Sequence, residues 1–98
     1  MTINRSSNGS ELTIAVGGHL DTTTAPELEA ELKNSLPGAQ SLVIDLSALD
    51  YISSAGLRVL LDAHKAMSGK GGMKVTNVNE VVSEVFEVTG FSDILDIE

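Results

Sequence analysis

Leu12, Ile14 and Val16 alternate with Glu11, Thr13 and Ala15, the period of a strand that turns one face to a core. Ahead of them, Thr2 to Arg5 reads as a short strand, and Asn8-Gly9 is a strong two-residue turn signal. The chain is therefore expected to open as a hairpin. Gly17-Gly18 is expected to end the second strand, leaving His19 to Thr24 as a polar loop. The spacing then becomes helical at Ala25, Leu28, Leu32 and Leu36. Thr24 at the N-cap, Pro26 in the first turn and Glu27 at the third helical position fit a capping box. Pro37-Gly38 terminates this helix.

Leu42-Val43-Ile44-Asp45-Leu46 is a short, β-branched apolar run, expected as a central strand covered on both faces. Ser53 and Ser54 precede a second helix whose inner face carries Leu57, Leu60, Leu61, His64 and Met67, with Arg58, Asp62 and Lys65 outward. Gly69 to Gly72 closes it, and Met73 to Val78 reads as another strand. Asn79 can cap a third helix bearing Val81, Val82, Val85 and Phe86 and stopped at Gly90. Ile94, Leu95 and Ile97 form a last strand or an apolar tail on the core. The order ββαβαβα implies right-handed crossovers and parallel pairs. The expected fold class is α/β: a single domain over residues 1–98, with a mixed four- to five-stranded sheet and about three helices packed on it.

Composition narrows the function. The 98 residues include 14 acidic and six basic ones, for a net charge of -8. Such a surface repels nucleic-acid phosphates and anionic lipid headgroups, so neither nucleic acid nor membrane is an expected partner. Three aromatics, Tyr51, Phe86 and Phe91, make no base-stacking platform. There is no cysteine, which excludes disulfides, thiolate metal sites and cysteine nucleophiles and suits a cytoplasmic location. No segment reads as a signal peptide or a membrane span. The even scatter of charge is that of a monomer when unpartnered.

Candidate chemistry is sparse. Gly69-Lys70-Gly71-Gly72 follows a helix and precedes a strand, the reverse of a phosphate loop. His19 and His64, the two histidines, lack carboxylates at ligand spacing, so no metal and no cofactor is expected. A hydrolytic triad could be drawn from Ser54, His19 and Asp21 or Asp45, but Ile52 stands where a nucleophile elbow needs glycine. An enzyme is not expected. Ser53-Ser54-Ala55-Gly56 remains, at the sheet's carboxyl edge, where α/β folds bind partners and ligands. Serine at a helix start is first of all a cap, stabilising by about 1 kcal/mol. Ser53 in that role leaves Ser54 in the first turn with its hydroxyl toward solvent. Gly56 in a first turn costs up to about 1 kcal/mol against alanine. It either exposes backbone to another molecule or lets the helix pack tightly on the sheet.

Three segments together resemble the STAS domain, a family named for sulfate transporters and anti-sigma factor antagonists. Gly18-His19-Leu20-Asp21-Thr22-Thr23-Thr24-Ala25 resembles its Gly-x-Leu-Asp-x-x-Thr-Ala segment before helix one. Asp45-Leu46-Ser47 through Tyr51-Ile52-Ser53-Ser54-Ala55-Gly56-Leu57 resembles its central signature, with Ser53 in place of the usual aspartate and Ala55 in place of serine or threonine. Phe86-Glu87-Val88-Thr89-Gly90-Phe91 is similar to its Phe-x-x-x-Gly-Leu element.

The resemblance implies that Ser54 is a regulatory phosphoacceptor. It also implies that Asp21, Thr22, Thr23, Thr24, Ser53, Ala55, Gly56 and Arg58 border a partner-binding surface. It further implies partner switching. The unmodified protein would bind an anti-sigma factor that is also a serine protein kinase and so free a sigma factor. Phosphorylation at Ser54 would break the contact, and a serine phosphatase would reset it. Other members resemble constitutive subunits of stressosome-like scaffolds or partners of transporter ATPases, in which Ser54 would be only a cap and interface residue.

Overall fold

The computed structural model describes residues 1–98, and its sheet is organised around one long strand. That strand, β2 (Glu11–Leu20), follows β1 (Thr2–Asn8) and pairs with it antiparallel. The two-residue loop is Gly9-Ser10, one position later than the Asn8-Gly9 expected, because Asn8 already pairs with Glu11. Gly9 takes the positive φ of 65° that such loops require and that glycine adopts without a Cβ penalty. β1 accordingly runs three residues beyond Arg5.

Helix α1 (Ala25–Ser35) ends in a single 3-10 turn over Leu36–Gly38 and returns the chain to β3 (Ser41–Asp45), parallel to β2. After a tight turn comes a strand that the hydrophobic pattern did not announce, β4 (Leu49–Ile52). It pairs parallel with the far end of β2, across Gly18, His19 and Leu20. Gly17-Gly18 therefore does not end β2. A Cβ on Gly17 would lie 2.7 Å from the Thr2 hydroxyl and 3.0 Å from Ala48 Cβ, so glycine there lets three segments meet. Gly18, at φ 88°, marks the register shift in the β4 pairing.

Helix α2 (Ser54–Met67), β5 (Met73–Thr76), α3 (Glu80–Thr89) and the two-residue β6 (Asp96–Ile97) complete the chain. The sheet order is β1-β2-β3-β5-β6, with β4 beside β2. All connections between β2, β3, β5 and β6 give parallel pairs, so each is a crossover from one end of the sheet to the other. The sheet thus has six strands, one more than the upper expectation, because β4 is too short to show a period; the last strand left open by the sequence forms over Asp96–Ile97.

All 23 buried apolar residues form one cluster, which makes this one domain with one core. In β3 only Leu42 and Ile44 are fully buried, while Ser41, Val43 and Asp45 are half-buried. The central strand is therefore covered completely on one face rather than on both. On α2 the buried stripe is Gly56, Leu57, Val59, Leu60, Ala63 and Met67. Leu61 and His64, expected inside, sit at its half-buried margin. Asn79 caps α3 as its sequence implies, accepting from the Val82 amide at 2.8 Å, and Gly90 ends it at φ 82°.

Candidate functional site

The site begins where β2 runs out. Asp21 folds back on its own chain: one carboxylate oxygen accepts from the Thr23 hydroxyl at 2.8 Å and from the amides of Thr23 and Thr24 at 3.0 and 3.2 Å. The Thr23 hydroxyl, helped by these amides, holds the Asp21 carboxyl below the ordinary value of 3.8 against a smaller effect of desolvation. Thr24 does not cap α1. Its hydroxyl donates to the His19 carbonyl at 2.8 Å and accepts from the Asp21 amide at 2.9 Å. The expected capping box is not formed: the Glu27 amide that it would use bonds the Thr24 carbonyl at 3.0 Å, and the Thr24 hydroxyl stitches the turn to β2 instead. Asp21 and Thr24 therefore shape this turn, while Thr22 and Thr23 are its exposed crest.

The second half of the site follows β4. The Ser53 amide donates to the Leu20 carbonyl at 2.9 Å, extending the β2–β4 pairing up to the helix. Ser53 is the N-cap residue in an extended conformation, but its hydroxyl makes no cap bond and is buried without a partner. The expectation that Ser53 satisfies the first turn is thus corrected. The first intrahelical bond runs from the Leu57 amide to the Ser53 carbonyl, so the amides of Ser54, Ala55 and Gly56 lie ahead of the ladder, as the first amides of any helix do. Ser54 is the first helical residue and is exposed.

Gly56 resolves the choice left by the sequence. It is buried, and a Cβ there would lie 2.7 Å from Leu20 Cγ and 2.9 Å from Ile52 Cγ1. Tight packing of the helix on β2 and β4 is its role. Glycine lets α2 sit low on the sheet, which sets how far Ser54 stands above the Asp21 turn.

An open groove of about 570 Å³ joins the two halves, lined by Thr22, Ala25, Pro26 and Glu29 on one wall and Ser54, Ala55, Arg58 and Val59 on the other. A second hollow continues between the same helices as far as Leu36 and Ala66, so α1 and α2 run side by side with their N-termini at one end. Arg58 is exposed and belongs to none of the ion pairs, the nearby Glu29 being paired with Lys33 at 3.5 Å. The groove thus gathers Thr22, Ser54, Ala55 and Arg58 of the expected surface. It leaves Asp21, Thr23 and Thr24 in the adjoining turn and Ser53 and Gly56 underneath. Pro26, Glu29 and Val59 were not singled out from the sequence; their membership depends on the approach of α1 to α2, and only their helical spacing hinted at it.

No hydrogen bond joins the side chains of Ser54, His19 and either Asp21 or Asp45. The hydrogen bonds of Asp21 go to Thr23 and Thr24, and Asp45 accepts from the Ser47 amide and the Asn77 side chain. The Ser47 amide chiefly holds the Asp45 carboxyl below its ordinary value. His19 stands edge-on to Tyr51 with ring centroids 6.1 Å apart. No helix is long and apolar enough to cross a membrane.

Comparison with known proteins gives a consistent picture. The family model described as Mlab, STAS domain, matches residues 3–96. BtrV of Bordetella bronchiseptica, named as an anti-sigma factor antagonist, is 42% identical over 82 residues, which are 82% of this chain and 71% of that protein. The anti-sigma-B factor antagonist of Bacillus subtilis is 31% identical over 91 residues, 92% of this chain and 84% of the relative. The crystal structure of an anti-sigma factor antagonist from Mycobacterium paratuberculosis superposes with a TM-score of 0.90 at 25% identity, covering 98% of this chain and 83% of that one.

Proposed function

The chain belongs to the STAS domain family, and from that premise we propose that it is a cytoplasmic anti-sigma factor antagonist that works by partner switching at Ser54. The relatives named above support the antagonist role. The observation that carries the switch is the placement of the Ser54 hydroxyl: exposed at an uncapped helix N-terminus, in an open groove that also holds the unpaired Arg58.

In the unmodified state the surface around Thr22, Ser54 and Arg58 binds an anti-sigma factor that is itself a serine protein kinase, and a sigma factor is released. The kinase then transfers the γ-phosphoryl group of ATP. The Ser54 oxygen bonds to phosphorus, the hydroxyl proton is lost and ADP leaves. The phosphate adds about -1.5 to -2 charges at one point of the binding surface. First-turn amides and the helix dipole favour the anion by roughly 0.3–1 kcal/mol, and Arg58, one turn on, is spaced to meet it. The fold therefore survives while the groove, which already holds Glu29, turns strongly anionic and a partner fitted to the unmodified surface is repelled. A serine phosphatase restores the first state.

The test is a pull-down from source cells with wild type, Ser54→Ala and Ser54→Asp, partners being identified by mass spectrometry. Wild type and Ser54→Ala are expected to retain a serine-kinase-like protein that Ser54→Asp loses, and incubation with that kinase and ATP should phosphorylate wild type but not Ser54→Ala. Equal recovery of one partner by all three would instead make the chain a constitutive subunit, such as a scaffold component or transporter-ATPase partner, with no switch at Ser54.

A further inference from the structure

Helix α3 has two apolar faces where one would suffice to fix it to the core. Val82 and Phe86 are fully buried and do that work. Val81, Val85 and Val88 recur at i, i+4 and i+7, which places them in one stripe along the other side. Val81 is 56% exposed and Val88 80%, and all three line one shallow surface hollow. Single exposed apolar residues are ordinary, but three aligned on one helix form a patch. Valine is also a weak helix former, so local helix stability gives no reason for them.

Beside the stripe runs a second row, Glu80, Glu84 and Glu87. Glu84 borders the valine hollow, and all three glutamates border the neighbouring one. None takes part in an ion pair, the pairs being Arg5–Glu31, Lys33–Glu29 and Lys74–Glu98.

We propose that this outer face of α3 is a docking site for a cationic amphipathic helix of a partner protein. The partner would lay its apolar stripe on Val81, Val85 and Val88 and set lysine or arginine against Glu80, Glu84 and Glu87. Charge selects this occupant. A second copy of the chain would bring two glutamate rows together on molecules that each carry a net charge of -8, and an anionic lipid surface would meet the same repulsion. A cationic helix satisfies both rows at once, in the helix-in-groove mode. The hollows of α3 share no residue with the groove at Ser54, so this site stands independently of the switch.

The test uses the full chain and a synthetic helical peptide of about 14 residues, long enough to span the ten residues of α3, with leucines in one stripe and lysines flanking it. Fluorescence anisotropy is expected to show saturable binding at one site, and amide chemical-shift changes should concentrate in residues 80–89. The double variant Val81→Ser, Val88→Ser leaves charge and core intact, with folding checked by circular dichroism; it should weaken binding at least about tenfold. Glu84→Lys, Glu87→Lys should do the same. Three results would overturn the proposal. The first is undiminished binding by the serine variant, which would mean the peptide reads net charge alone. The second is a wild-type dimer in sedimentation that the serine variant dissolves. The third is wild-type binding to phosphatidylglycerol vesicles that the serine variant loses.

Discussion

Replacing Gly56 by alanine sets two effects of opposite sign against each other, and the structure decides between them. Gly56 lies inside α2 without a positive φ, so intrinsic helix propensity favours alanine by up to about 1 kcal/mol. The new methyl carbon, however, would meet Leu20 Cγ at 2.7 Å, Ile52 Cγ1 at 2.9 Å and Leu20 Cδ2 at 3.0 Å. Leu20 is fully buried and Ile52 only 2% exposed, so neither can swing toward solvent, and either the helix lifts or the core rearranges. Overpacking of this kind costs about 1–3 kcal/mol. The net expectation is a loss of about 1–2 kcal/mol, which for a domain of this size lowers Tm by about 4–15 °C. Urea unfolding followed by circular dichroism measures it. Leu20→Ala should cost less in the Gly56→Ala background than alone, because it removes two of the three clashing atoms, with a coupling of about 1 kcal/mol in a double-mutant cycle. An unchanged or raised stability in Gly56→Ala, or additive losses in the cycle, would refute the packing argument and return Gly56 to the role of an open backbone surface.

Other expectations follow from the same contacts. Asn79→Ala removes both the cap on Val82 and the 2.7 Å bond to the Leu49 carbonyl and should cost about 1–2 kcal/mol. Asn79→Asp keeps the cap acceptor and should recover part of that loss in the same denaturant titration. Phe86→Ala empties the largest of the fully buried side-chain sites and should cost about 3–5 kcal/mol by calorimetry or urea titration. Asp21 and Asp45 both have depressed carboxyl pKa values in the fold. Their contribution is therefore complete above the unfolded value near 3.8 and is lost as pH falls through the lower folded values. Stability measured from pH 6 to about pH 2 should decline below about pH 4, and Asp21→Asn with Asp45→Asn should flatten that decline; an unaltered slope would count against both hydrogen-bonded turns.

Much of this fold is legible where a local signal is also the strongest interaction available. Asn79 and Gly90 bound α3 because the residues that cap it have no competitor, and the alternation of Leu12, Ile14 and Val16 survives because β2 is buried on one face. The misreadings share the opposite cause. Thr24 has the sequence of a cap, but its carbonyl already takes the Glu27 amide and its hydroxyl is drawn to the His19 carbonyl of β2. Gly17-Gly18 has the look of a strand end, yet glycine is required there by the close approach of Thr2 and Ala48, segments distant in sequence. Leu49-Asp50-Tyr51-Ile52 is too short to show a period and becomes a strand only because the end of β2 lies beside it. At the site, Ser54 is visible as a helix start from sequence alone, and the STAS resemblance singles it out. The opposite wall of its groove, Pro26 and Glu29, exists only through the packing of α1 against α2.

The two ends of the sheet's main run of strands bear on how this acidic little domain behaves when crowded. β1 forms one margin, and of its seven residues only Ile3 is apolar and half-buried, the rest being polar and exposed. β6 forms the other and is two residues long. A free strand edge invites other chains to add themselves, and growth of that kind is resisted by polar or very short borders. The apolar interior strands β2, β3 and β5 lie between these borders, out of reach unless the hairpin opens. Concentrated solutions should therefore stay free of fibrils so long as β1 remains zipped to β2, and trimming the first eight residues would expose the longest strand in the molecule to its neighbours.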